Sequence, residues 1–220
     1  MNTSCRLKAI KAGAGAMMTG IALCLIAGAS FAGTADIGRT VLASDDPHAH
    51  HHHVVPEVLR SVADYAVPDV KLVRDDGKTV LLDKELNDGR AVVLNFIYTT
   101  CTTVCPMTSQ TIAQLQSKLG PALDRVHLMS ISIDPEQDTP ARLREYAKSF
   151  GAGPQWQHYT GTLAASIAAQ RAFNVYRGDK MSHEPATLVR TAPGAPWVRI
   201  DGFATADLLL AELRDAAASR

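Results

Sequence analysis

The stretch Val92-Val93-Leu94-Asn95-Phe96-Ile97-Tyr98-Thr99-Thr100-Cys101-Thr102-Thr103-Val104-Cys105-Pro106 decides how the chain is read. From Ala91 to Tyr98 nearly every residue is apolar, and β-branched and aromatic side chains dominate. That composition predicts a strand buried on both faces, as in a parallel sheet covered by helices. Beyond Pro106, Ile112, Leu115 and Leu119 recur at helical spacing until Gly120-Pro121 breaks the pattern. Proline lacks an N–H, so Pro106 fits only the first turn of that helix. The two thiols therefore fall in a strand-to-helix loop, with Cys105 at the helix entrance. Chemistry collects at this edge of an open α/β sheet. A helix N-terminus favours thiolate over thiol, so both sulfurs are expected to be more reactive than free cysteine.

Outward from this stretch, the same signals order the rest of the chain. Val67–Val73 and Thr79–Leu82, around Asp75-Asp76-Gly77-Lys78, predict an N-terminal hairpin. Val126–Ile133 reads as a second strand. It runs into Asp134-Pro135-Glu136-Gln137-Asp138-Thr139-Pro140, where Thr139 can cap a helix and Pro140 can start it. Leu143, Tyr146, Ala147 and Phe150 form the buried stripe of that helix. Trp156–Thr160 is a short strand, and Thr162 can cap an Ala-rich helix reaching Ala172. Ala186–Thr191 and Trp197–Asp201 predict a hairpin around Pro193-Gly194. Thr205 caps a last helix with Leu209 and Leu213 inward. This order predicts an α/β fold with a central mixed sheet flanked by helices. With a dithiol at the turn after the central strand, the pattern is that of a thioredoxin-like fold carrying an N-terminal β-hairpin extension.

The 220 residues carry a formal net charge of zero, which gives no electrostatic case for nucleic acid as a partner. The hydrophobic fraction of 46% is enough for a packed core. Of four cysteines, Cys5 and Cys24 lie near the N-terminus, which leaves Cys101 and Cys105 to the folded part. A disulfide scaffold needs more pairs, so this pair reads as chemical rather than structural. Residues 1–35 begin with Arg6, Lys8 and Lys11 and continue into an uncharged, small-residue stretch, the pattern of a signal peptide or a membrane anchor. Either would place the domain outside the cytoplasm, periplasmic or facing the periplasm from the inner membrane of a bacterial source. Residues 36–62 read as a linker bearing His48 and His50–His53, a segment able to collect metal weakly. Residues 63–220 form the expected folded domain.

Two thiolates make either a redox couple or half of a metal site, and a third residue has to decide. His127 and His158 fall inside strands and read as structural. His183 lies in the loop Met181-Ser182-His183-Glu184-Pro185, which in a thioredoxin-like fold packs beside the dithiol. Two soft sulfurs and one imidazole suit copper, Cu(I) above all. Met107 and Met181 are soft and lie near these residues in sequence, with packing as their plainer role. Asp134 and Asp138 have a plain role too, building a turn and placing negative charge at a helix start. The alternative for Asp134 is an influence on the thiols or on a partner surface.

Asn95 through Pro106 resembles the signature of the Sco/SenC family of copper chaperones, and Ser130 through Pro140 resembles that family's second hallmark. The resemblance covers about residues 63–215. It implies a thioredoxin-like domain binding copper, as Cu(I) or Cu(II), through Cys101, Cys105 and His183. It also implies delivery of copper to, or reduction of thiols in, the dinuclear copper site of cytochrome c oxidase. The implied partners are the oxidase's copper-bearing subunit, a copper donor protein and a thiol reductant. Family members usually carry Asp directly before the ligand histidine, and Ser182 stands there instead. Pro185 resembles the proline that opens this strand in thioredoxins, which predicts a cis Glu184–Pro185 bond. The competing reading is an enzyme, an extracytoplasmic thiol–disulfide oxidoreductase or thiol peroxidase using Cys101 and Cys105. Such reductases normally space their cysteines by two, and a peroxidase needs a polarising Arg that the loop lacks.

Overall fold

The apolar run leading to the cysteines is a central strand in the computed structural model, which describes residues 58–218. The strands are β1 (Leu59–Ala63), β2 (Lys71–Arg74), β3 (Thr79–Leu81), β4 (Ala91–Ile97), β5 (Val126–Ser132), β6 (Trp156–Gly161), β7 (Ala186–Arg190) and β8 (Trp197–Asp201). The helices are α1 (Leu82–Leu86), α2 (Val104–Leu119), α3 (Pro140–Ser149), α4 (Leu163–Ala172) and α5 (Ala206–Ala218). Among the described residues the strands form one sheet in the order β1-β8-β7-β4-β5-β6-β2-β3. β4, β5 and β6 run parallel, with Asn95 beside Ser130 and Ser130 beside His158. β7 lies antiparallel on the other side of β4, with Thr187 opposite Asn95. The mixed sheet and its flanking helices are those expected from the sequence.

Alternation along β4 sends its side chains to two cores. Val93 meets Ile112, Leu115 and Leu119 of α2 and Leu209 and Leu213 of α5. Val92, Leu94 and Phe96 meet Leu82 and Leu86 of α1 and Phe173 at the end of α4. The predicted caps are made. Thr139 Oγ1 accepts from Arg142 N at 3.3 Å, Thr162 Oγ1 from Ala165 N at 3.1 Å and Thr205 Oγ1 from Leu208 N at 3.2 Å. α2 stops at Gly120, whose φ of +50° is the left-handed conformation that glycine enters without a Cβ clash.

Three expectations change. The β2–β3 hairpin exists, but β2 also pairs antiparallel with β6 and so extends the sheet. Residues 59–62, read as the tail of the linker, belong to β1, which pairs with β8. Leu59 and Val62 are exposed, so backbone bonding to β8 rather than a buried face holds this strand. The Glu184–Pro185 bond is trans, because no peptide among the described residues is cis. The Pro185 carbonyl accepts from Gly202 N at 2.9 Å, so the chain enters β7 in register without a cis bond. The leader expected at 1–35 and His48–His53 lie outside the described residues. Among those described, no helix is long and apolar enough to cross a membrane.

Candidate metal centre

The site forms where β4 ends and α2 begins. A turn closes between them, with Cys101 N donating to the Tyr98 carbonyl at 3.2 Å. α2 opens at Val104, so Cys105 is its second residue and Pro106 its third, where a missing N–H costs no intrahelical bond. The residue before the helix, Thr103, makes no side-chain cap. Its place is taken by Cys101, whose Sγ accepts from Cys105 N at 3.4 Å. The two sulfurs are thus brought together by the helix start itself. Both are free thiols and both are buried, Cys105 completely.

This geometry separates the two thiols chemically. Burial pushes the Cys101 thiol up, but donors from the Cys105 and Thr103 backbone, and then from the Cys105 and Tyr98 side chains, outweigh it and settle it at about 7. Burial pushes the Cys105 thiol far up, and the neighbouring Cys101 adds to that. The expectation of two activated sulfurs therefore holds for Cys101 alone. Cys105 is too deep for the helix start to compensate its desolvation. Around neutral pH a substantial fraction of Cys101 is thiolate, whereas Cys105 stays protonated. Iodoacetamide should therefore modify Cys101 well before Cys105, at a rate that falls as pH drops through about 7. Peptide mapping after brief alkylation reads this, and equal labelling of both cysteines would contradict it.

The loop carrying Cys101 is held from below by Asp138, which is fully buried. Its carboxylate accepts from Thr99 N at 3.2 Å, from Thr99 Oγ1 at 2.5 Å and from Ser132 Oγ at 2.6 Å. Its role is thus to clamp the dithiol loop rather than only to start α3. Asp134 reaches the other way, its Oδ2 accepting from Lys180 Nζ at 2.6 Å. That ion pair anchors a short 3-10 turn, Lys180–Ser182, whose first N–H groups are capped by Asp179 through Met181 N at 2.9 Å.

His183 follows this turn. Its Nε2–H donates to the Phe96 carbonyl at 3.0 Å, which leaves Nδ1 as the nitrogen with a lone pair. Burial lowers its pKa, so the ring is neutral at pH 7. Tyr98 stands between the two halves of the site. Its ring meets His183 edge-on at 6.5 Å, and its hydroxyl donates to Met181 Sδ at 3.9 Å. The structure brings Cys101 and Cys105 into contact and places His183 at the same edge, tied to Phe96. Among the described residues no group of three His, Cys, Asp or Glu side chains is already arranged to hold a metal ion. Two adjacent sulfurs are donors that suit copper, and at the same edge His183 keeps Nδ1 without a hydrogen bond to the described residues.

Of the other two histidines, His127 is a satisfied structural residue as expected, whereas His158 is fully buried with neither ring nitrogen hydrogen-bonded among the described residues. His127 is buried with Nδ1 bonded to the Glu85 carbonyl at 3.1 Å and Nε2 to Tyr159 Oη at 2.9 Å. His158 is buried against Trp156, and burial lowers its pKa to about 4. Met107 is exposed on the first turn of α2. The roles of Tyr98 and Lys180 were not legible in the sequence. Neither stands in a spacing pattern, and both act through partners more than forty residues away.

A family model described as SCO1/SenC matches residues 61–217. The SCO1 protein homolog of Bacillus subtilis (strain 168) is 32% identical over 110 residues, which is 50% of this chain and 56% of that relative. The chain thus spans about half the length of this curated relative. Arabidopsis thaliana ScoI with copper bound aligns with a TM-score of 0.57 and 27% identity over 69% of this chain and 99% of its own. Bradyrhizobium japonicum ScoI with copper bound aligns with a TM-score of 0.57 and 26% identity, over 70% of this chain and 99% of its own.

Proposed function

This chain belongs to the SCO1/SenC family, and on that premise we propose that it is a copper-binding chaperone working outside the cytoplasm. The observation that carries the reading is the contact between Cys101 and Cys105 at the start of α2, with the neutral imidazole of His183 at the same edge. Copper is the cargo. Cys101, the more acidic of the two thiols, takes it first. Cys105 gives up its proton on binding and becomes the second sulfur donor. His183 supplies Nδ1 as the third, and Cu(II) depends on that nitrogen more than Cu(I) does. Similar structures hold copper in relatives from Arabidopsis thaliana and Bradyrhizobium japonicum, which supports this assignment.

The recipient in this reading is the copper-bearing subunit of cytochrome c oxidase, whose thiols would take the metal by ligand exchange. A copper donor loads the chain, and a thiol reductant keeps its pair open in an oxidising compartment. Export follows from residues 1–35. A reporter fused after Arg60 should be active only outside the cytoplasm, and activity inside would remove this part of the reading.

The asymmetry of the pair favours a second reading, thiol–disulfide exchange. Cys101 has the pKa of an attacking thiol and the buried Cys105 that of a resolving one. Copper titration of the reduced chain beside a disulfide-reduction assay separates the two. One tightly held copper per chain with negligible turnover supports the chaperone. Turnover without tight copper supports the oxidoreductase.

A further inference from the structure

We propose that the Met181 thioether is a third sulfur donor to Cu(I) at the Cys101–Cys105 pair. The inference rests on the copper reading and assigns a ligand beyond its three. Met181 is 74% exposed, although the turn that carries it is fixed on both sides. Asp179 caps the Met181 N–H, and the neighbouring Lys180 is locked to Asp134. A large apolar side chain is thus held in water at a defined place, rather than left there by a loose loop. Its sulfur stands 3.9 Å from the Tyr98 hydroxyl. The same tyrosine also holds the dithiol loop, its carbonyl accepting from Cys101 N at 3.2 Å. Tyr98 therefore touches both the thioether and the residue carrying the first thiol, and the thioether is the accessible sulfur.

The comparison with His183 sharpens the assignment. The two residues sit two positions apart on one turn, but they are not equally available. His183 spends Nε2 on the Phe96 carbonyl and is partly buried. Met181 has only a long, weak contact to release, and its three rotatable side-chain bonds let the sulfur swing toward Cys101. Thioether is a soft ligand that prefers Cu(I), whereas imidazole also suits Cu(II). The turn thus adds to the His183 nitrogen a sulfur that matters for Cu(I) and not for Cu(II). Binding moves no electron. The thiols lose their protons to solvent and the thioether adds a lone pair.

Selenomethionine labelling tests this directly. The reduced full chain, labelled and loaded anaerobically with one equivalent of Cu(I), is measured by X-ray absorption at the copper edge. A selenium neighbour is expected in the parent and in Met107→Leu, and none in Met181→Leu. Met181→Leu should also hold Cu(I) about tenfold more weakly against a chromophoric chelator. Its Cu(II) spectrum should match the parent, whereas His183→Ala should change that spectrum. Sulfur neighbours without selenium in the parent, or selenium persisting in Met181→Leu, would overturn the inference and leave the dithiol site standing. Failure of the parent to retain copper at all would instead overturn the copper reading beneath it.

Discussion

A Cys105→Ser chain should hold copper about a thousandfold more weakly than the parent while remaining folded. Sites built from thiolate and imidazole donors bind metal with roughly 10–16 kcal/mol for four ligands, so one donor is worth about 2.5–4 kcal/mol. A thiolate to soft copper belongs at the upper end, about 4 kcal/mol. At about 1.4 kcal/mol per decade that is close to a factor of a thousand. Serine fits the space, but its hydroxyl keeps its proton at neutral pH and is a hard ligand. Cys105 is completely buried beside apolar neighbours, so the new hydroxyl should cost about 1–2 kcal/mol of stability. Chelator competition reads the affinity and a thermal melt reads the fold. Retention within tenfold of the parent would mean that Cys105 is no ligand.

The same pair fixes the pH dependence. Cys105 is raised in the free chain and must lose its proton to bind, so affinity should rise about tenfold per pH unit at neutral pH. Cys101 titrates at about 7, so below that point a second proton is displaced and the slope should double. His183 is lowered by burial and displaces no proton at neutral pH. Acid therefore weakens binding, with a break near pH 7.

An Asp138→Ala chain should lose about 3–5 kcal/mol of stability, by the cost of leaving buried partners of a charged group unmet. Thr99 N, Thr99 Oγ1 and Ser132 Oγ all donate to this one fully buried carboxylate. At about 2–4 °C per kcal/mol for a domain of this size, the melting temperature should fall by roughly 10 °C. Thr99 lies two residues before Cys101, so the surviving folded fraction should also bind copper about 10–100-fold more weakly, as when ligand-orienting groups are lost. Calorimetry and chelator competition on one sample report both. A loss below about 1 kcal/mol would show that the clamp is ornamental.

The parts of the fold legible in the sequence are those with a period or a cap. The apolar run of β4, the helical stripe Ile112-Leu115-Leu119 and the threonines at 139, 162 and 205 each carry a local signal that the folded chain uses. β1 carried none. Four of its five residues are exposed, and it is held through the backbone of β8 and the Arg60–Glu212 ion pair, neither of which leaves a local pattern. α1 is five residues long, too short for periodicity to mark, and its Leu82 read as the end of the Thr79–Leu82 strand. At the site, spacing placed the two cysteines in one turn but could not tell their environments apart. Depth in the core makes Cys105 a poor acid, and depth is a tertiary property. The bond between His183 and the Phe96 carbonyl was likewise out of reach, since it joins positions 87 residues apart.

The most direct test of the dithiol copper site is anaerobic copper titration of one preparation in two states, fully reduced and carrying the Cys101–Cys105 disulfide. A disulfide has no thiolate to donate, so the oxidised chain should take up no copper at this site until a reductant is added. The reduced chain should bind one equivalent and then resist alkylation, because bound metal holds both sulfurs. Equal affinity in the two states would show that the cysteines are not the ligands, and the account would give way to thiol–disulfide exchange.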